Sequence, residues 1–94
     1  MVNPSRHGEV VMHTHPHPGE VLKEMVMAPL GLSVTEASSR FSISRADMLS
    51  VLNGKAGISS DLAEHLELAG AGTARAWLAL QANYDLWASQ QDRK

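Results

Sequence analysis

The chain has 94 residues, the size of one domain built around a single hydrophobic core. It contains no cysteine, which excludes disulfides, thiolate-bound zinc, iron–sulfur clusters and cysteine nucleophiles. Eight basic and 10 acidic residues give a net charge of −2 at pH 7. This balance excludes a protein that coats nucleic acid through bulk positive charge, but not one that reads it through a small local face.

The sequence shows neither a membrane span nor a targeting leader. No apolar run approaches the ~20 residues that a transmembrane helix needs. No charged stretch followed by an apolar run and a small-residue cleavage site opens the chain. We therefore expect a cytoplasmic protein that does not bind a membrane. We also expect no cofactor and no small-molecule substrate.

Residues 1–17 have the composition of a flexible tail. Two X-Pro steps between His13 and Pro18 force extended backbone there, so we expect partial disorder. Three histidines alternate in this run, at His13, His15 and His17. Without neighbouring acids or a fold to hold them they make a poor metal cage, and we expect no metal site.

Five helix patterns occupy residues 18–94, each opening with a residue typical of a helix start. The predicted starts are Pro18, Ser33, Ser44, Ser59 and Thr73. Apolar side chains recur three and four residues apart behind each start, and the last pattern covers about residues 74–90. No segment alternates with period two, so the chain is predicted to be all-α.

The connection between the second and third helices is unusually short. Only Ser42 and Ile43 precede the cap at Ser44, so the two helices must cross steeply instead of lying antiparallel. This geometry predicts a helix-turn-helix over about residues 33–54, whose second helix projects its N-terminal residues into the DNA major groove. Residues 33–55 carry three basic and two acidic side chains, a net charge of +1, whereas residues 1–32 and 56–94 are each net negative.

Three motifs resemble those of the HigA-type antitoxins, within the Cro/lambda-repressor-like helix-turn-helix class. His15-Pro-His-Pro-Gly-Glu-Val-Leu22 resembles the family's HPGE-hydrophobic-L opening, and Leu52-Asn-Gly-Lys55 resembles its L-x-G-K after the recognition helix. Trp77-Leu-Ala-Leu-Gln81 and Tyr84-Asp-Leu86 resemble its WLxLQ…yDL fifth helix. The motifs follow in the family's order over residues 15–87, about three quarters of the chain.

This resemblance implies a compact five-helix domain that works as a homodimer. It implies a DNA-binding antitoxin that neutralises a RelE-like ribonuclease toxin and represses the operon shared with that toxin. Two copies would place their third helices in successive major grooves of a palindromic operator, about 34 Å apart. The toxin would contact a face away from the DNA, on the first helix or on the N-terminal tail.

Four positions depart from the family's pattern, which commonly has Ser or Thr at Asp47, Arg at Ser50, Ala at Ser38 and Gly at Ser42. A carboxylate at Asp47 repels phosphates unless it accepts from a cytosine amine or caps its own helix. Ser42 without glycine is expected to strain a left-handed turn position. These departures predict operator binding that is weaker, differently specified or lost.

The candidate DNA contacts lie on and beside the two helices of the motif. Arg45 is predicted to grip a guanine through O6 and N7 or to clamp a phosphate, the alternative being an exposed solubilising charge. Ser44 and Thr35 are either phosphate contacts or ordinary capping and surface residues. The complete predicted set is Thr35, Ser44, Arg45, Ala46, Asp47, Ser50, Asn53 and Lys55.

Large aromatic residues recur at helical spacing along the fifth helix. We expect most of this stripe to be core, but Trp77, Tyr84 and Trp87 are more than a small domain needs. A homodimer interface at these three residues is the prediction, since aromatics are enriched in such interfaces. The alternative is that Trp87 packs back onto the first helix.

Two other function classes stay open. If Asp47 and Ser50 disable DNA binding, the chain is an interaction module that only sequesters a toxin or another partner. An enzyme is the third class. Asp61 and His65 lie four residues apart on the fourth helix, but no nucleophile or second acid accompanies them, so we expect a surface pair and no catalysis.

Overall fold

The computed structural model describes residues 15–92, and these form five helices. Helix α1 is continuous over residues 18–30, with α-helical Pro18–Leu22, a π-helical stretch at Lys23–Met27 and α-helical Ala28–Leu30. The others are α2 (Val34–Arg40), α3 (Arg45–Leu52), α4 (Ser60–Leu68) and α5 (Ala74–Asp92). Residues 15–92 contain no strand, which confirms the all-α prediction, whereas residues 1–14 of the predicted tail lie outside the described residues.

The helices begin where the sequence predicts because each start supplies its own cap. The hydroxyls of Ser33, Ser44 and Ser59 each accept a hydrogen bond from the backbone N–H three residues on, at 3.1 Å. Thr73 does the same for the N–H of Ala76 at 3.0 Å. Helix α1 has Pro18 in its first turn, and its cap is the imidazole of His17.

One hydrophobic core holds the five helices together. Its largest fully buried apolar side chains are Leu22 of α1, Phe41 at the end of α2, Met48 of α3 and Leu66 of α4. Trp77 joins them from α5 and is 6% exposed. Helix α3 packs on this core through one side only, and its other side is exposed to solvent. Within residues 15–92, no helix combines the length and the apolar content that a membrane span requires.

Gly19 marks a close approach between α1 and α3. A Cβ added there would overlap the backbone carbonyl oxygen of Val51, so α1 can lie this close to α3 only with glycine at this position. Gly19 also donates its N–H to Nδ1 of His17 at 2.9 Å. The histidine and glycine of the HPGE motif therefore have structural roles: they begin α1 and seat it against the recognition helix.

Candidate nucleic-acid interface

The turn between α2 and α3 sets the direction of the recognition helix. Ile43 is half-buried against the core, and its N–H donates to the carbonyl of Ser38 at 3.0 Å. Ser44 then caps α3 by accepting from the N–H of Asp47. The side chain of Ile43 thus ties the turn inward while the polypeptide changes direction, as the short connection predicts.

Ser42 adopts the left-handed backbone conformation that its position was predicted to require. Its φ is 53°, and it is the one non-glycine residue among 15–92 with a positive φ. For an L-residue this region costs roughly 1–2 kcal/mol relative to ordinary backbone. The helix-turn-helix therefore carries a strain that glycine would relieve.

Replacing Ser42 with glycine should stabilise the fold by about 0.5–1 kcal/mol, because the strain relieved exceeds the added entropy of the unfolded chain. The free energy of unfolding, measured with urea, tests this. Ser39→Gly is the matched control, since Ser39 lies within α2 and glycine there should destabilise by up to about 0.5 kcal/mol. A Ser42→Gly variant less stable than the parent would contradict the strain.

Helix α3 turns one face inward and one outward. Met48 and Val51 are buried and Leu52 is half-buried, which fixes the inner side. At about 100° per residue, four residues then fall at the centre of the outer side, and two flank them. The central four are Ala46, Leu49, Ser50 and Asn53, and the flanking two are Arg45 and Asp47. We call the central four the outer stripe.

All but one of these six side chains are exposed, and the exception, Ser50, is half-buried. Leu49 is a large apolar residue that is nonetheless 36% exposed. The sequence prediction missed Leu49 because apolar residues on a short helix are ordinarily assigned to the core. The structure brings the predicted residues Arg45, Ala46, Asp47, Ser50 and Asn53 together on one surface, and adds Leu49 to them.

The N-terminal turn of α3 combines groups that attract an anion with carboxylates that repel one. Helical geometry leaves the N–H groups of Arg45 and Ala46 without partners inside the helix, and the helix dipole adds partial positive charge there. Asp47 places a carboxylate in the same turn, where it stabilises the dipole of its own helix. A polar cavity of about 250 Å³ adjoins this turn, and Asp61 and His65 of α4 line it together with Asp47.

The start of α2 is different, because its own carboxylate already occupies it. The Ser33 N–H donates to Oε1 of Glu36 at 2.8 Å, and Glu36 returns its N–H to the Ser33 hydroxyl at 3.1 Å. The pKa of the Glu36 carboxyl is lowered, first by its hydrogen bond with the Ser33 backbone, then by a hydrogen bond with the Ser33 side chain and by the charge of Arg40. Thr35 is exposed in this turn. A phosphate near Thr35 would face the ionised carboxylate of Glu36, which weakens the argument for Thr35 as a contact.

The far end of α3 is closed by Gly54, whose φ is 77°. The N–H of Lys55 donates back to the carbonyl of Ser50 at 2.8 Å, so the chain leaves the helix in a fixed direction. Asn53 and Lys55 are both exposed on either side of this glycine. Their exposure is compatible with the predicted contacts of Asn53 and Lys55 to DNA.

Comparison with known proteins places this helix-turn-helix among antitoxins. No family model matches the chain. It is 40% identical over 76 residues to virulence-associated protein A of Dichelobacter nodosus, covering 80% of this chain and 74% of that protein. It is 28% identical to an addiction module antidote protein of the HigA family from Coxiella burnetii, with a TM-score of 0.77, covering 83% of this chain and 85% of that one.

The chain belongs to the HigA-type antitoxin family. A second solved neighbour is a Pseudomonas aeruginosa protein in complex with its 18-base-pair operator DNA. It is 25% identical to this chain, with a TM-score of 0.76, and the match covers 81% of this chain and 82% of that one.

The HigA-type WLxLQ motif has a structural purpose that the sequence did not disclose. Oε1 of Gln81 accepts from the N–H of Ile58 at 2.8 Å, and its Nε2 donates to Asp85 at 2.9 Å. A Cβ at Gly57 would press against this same amide. Gln81 therefore fixes the segment between α3 and α4 onto α5. The sequence signal that could have revealed this role is the glutamine itself, a polar residue in an otherwise apolar motif.

The burial of Trp77 corrects its predicted place in a homodimer interface. Its indole N–H donates to the carbonyl of Ala71 at 2.8 Å, and the ring is buried in the core of its own chain. With 6% of its surface exposed, it offers a second copy little contact area. Tyr84 and Trp87 are half-buried, so their part in a dimer stays a prediction.

Tyr84 and Trp87 contact the residues that precede α1. His15 stacks on Trp87 with ring centroids 5.4 Å apart, and His17 meets the edge of Tyr84 at 4.9 Å. Trp87 is thus covered by the segment leading into α1, close to the alternative in which it packs back onto the first helix. The last three residues of the predicted tail, 15–17, lie against α5, whereas His13 lies outside the described residues.

Proposed function

We propose that this HigA-type antitoxin binds operator DNA as a homodimer and represses the operon that encodes it together with a RelE-like ribonuclease toxin. The observation that carries the proposal is the outer side of α3, where Arg45 and Asn53 are exposed and Ser50 is half-buried on a helix held by the core. The operator complex of the Pseudomonas aeruginosa neighbour supports this use of the motif. Such a function belongs to the cytoplasm and needs no catalysis.

The toxin contact is proposed to lie on α1. Met25 and Leu30 are 72% and 58% exposed there, beside an apolar groove of about 470 Å³. The groove is bordered by α1, by the ends of α2 and α4 and by the start of α5, and none of its lining residues belongs to α3. A protein held on this face would leave the outer stripe free for DNA, so both partners can be bound together.

The DNA half of the proposal is tested by a mobility-shift titration on the DNA upstream of the chain's own gene, at two salt concentrations. We expect a shift whose affinity falls as salt rises, because phosphate contacts release counterions. A scrambled duplex of the same length is the control. No salt-sensitive shift would instead favour the interaction-only module, since Asp47 and Ser50 replace residues that the family commonly uses.

The toxin half is tested by the neighbouring gene. We expect a reading frame for a small basic ribonuclease-like protein beside this gene, whose expression arrests growth unless this chain is co-expressed. An isolated gene, or continued arrest on co-expression, would leave a DNA-binding regulator without a toxin.

A further inference from the structure

The outer stripe of α3 is not uniformly polar. Ala46, near its centre, and Leu49, on its Arg45 side, lie three residues apart and therefore adjoin each other. Leu49 is 36% exposed although Met48, Val51 and Leu52 already supply the inner side of the helix. Leu49 also borders an apolar groove with Met27 and Leu32, and its remaining exposed surface adds an apolar patch beside Ala46 at the position where a duplex would be met.

The chemistry of the major groove supplies a partner for such a patch. The edges of the bases present hydrogen-bond donors and acceptors in this groove, and the apolar group among them is the C5 methyl of thymine. Asn53, one turn beyond Leu49, carries the amide that pairs with adenine N6 and N7. The centre of the stripe thus suits A·T pairs, whereas Arg45 at its edge suits guanine.

We propose that Ala46 and Leu49 form a specificity-determining patch that contacts thymine methyl groups in each operator half-site. The inference rests on the proposed function, because it assumes that α3 enters the major groove. It extends the proposed function by naming the bases that the helix contacts. These are thymines at the patch and a G·C pair beside them on the Arg45 side. Asp47, on the opposite edge, disfavours a close phosphate and leaves the methyl contacts a larger share of the discrimination.

The methyl group can be removed from the DNA without altering any hydrogen bond. The full chain is first used to enrich its half-site from a random duplex library, and each thymine of the enriched site is then replaced singly by deoxyuridine. For thymines beneath the patch we expect the affinity of the parent protein to fall about three- to fivefold per methyl, the effect of exposing one apolar carbon. Thymines elsewhere in the site should show no change.

A Leu49→Ala variant assigns the effect to the protein side. It should bind the thymine operator more weakly than the parent and lose the response to deoxyuridine at one position, so that the two changes are not additive. Leu68→Ala is the matched control, since Leu68 is 84% exposed on α4 and should leave both responses intact. Thermal unfolding of each variant checks that α3 remains folded.

The possible outcomes distinguish failure of this inference from failure of the proposed operator binding. Enrichment of an operator that binds equally well with thymine and deoxyuridine would overturn the methyl contact and leave DNA binding standing. A deoxyuridine response that persists in Leu49→Ala would overturn the role of that side chain and limit Leu49 to bordering the groove between α3, α1 and the start of α2. Enrichment of no sequence would overturn both the inference and the proposed operator binding.

Discussion

Replacing Gly19 with alanine should destabilise the fold by about 2–3 kcal/mol, although alanine favours helices over glycine by about 1 kcal/mol. The added Cβ would overlap the carbonyl oxygen of Val51, and this atom belongs to the backbone of α3. A flexible side chain could swing away at little cost, but a helix backbone in the core cannot. Relief would require α1 and α3 to separate around buried Leu22 and Met48.

Thermal unfolding followed by circular dichroism measures this effect, and a loss of this size lowers the midpoint by roughly 10–20 °C in a domain of about 100 residues. Gly70→Ala is the matched control, because Gly70 has a φ of 81° but no atom within 4 Å of an added Cβ. It reports backbone strain alone, about 1 kcal/mol. A Gly19→Ala variant as stable as the parent would contradict the close approach of α1 to α3 at this residue.

The features that sequence predicted are those set by neighbouring residues. Ser33 and Glu36 cap α2 because a hydroxyl and a carboxylate three residues apart meet in any helix start. The bend at Ser42 and Ile43 follows from too few residues between two helices, whereas the positive φ of Ser42 was implied by the glycine that the family commonly has there. These need no knowledge of the rest of the fold, and the family resemblance rests on the same local segments.

The features that sequence missed depend on which distant atoms the fold brings together. Gln81 meets the N–H of Ile58 across 23 residues, and nothing in either local pattern reveals the pairing. Trp77 and Tyr84 are seven residues apart on one face of α5, yet one is buried and the other half-buried because coverage differs along the helix. Leu49 was missed because an apolar residue beside Met48 gives no local sign of exposure, and only the packing of the whole fold leaves it 36% exposed.

Replacing Arg45 with alanine should weaken operator binding by about 1–3 kcal/mol, roughly 5- to 150-fold, and relax the choice of base at one position. Arg45 is exposed in the first turn of α3, and alanine is a good helix former, so stability should not change. Fluorescence anisotropy with the enriched operator measures the affinity. Arg75→Ala is the matched control, since it removes the same charge from an exposed position on α5.

An Arg45→Lys variant separates the two ways in which this side chain can hold DNA. Lysine keeps the charge but loses the planar fork, so it replaces a phosphate clamp well and a bidentate guanine contact poorly. Because Arg45 flanks the outer stripe, which we propose to face the bases, we expect lysine to behave like alanine at one G·C pair and like arginine elsewhere. Full rescue by lysine at every base would assign Arg45 to a phosphate. Parent-like binding by Arg45→Ala would show that another residue provides the main contact.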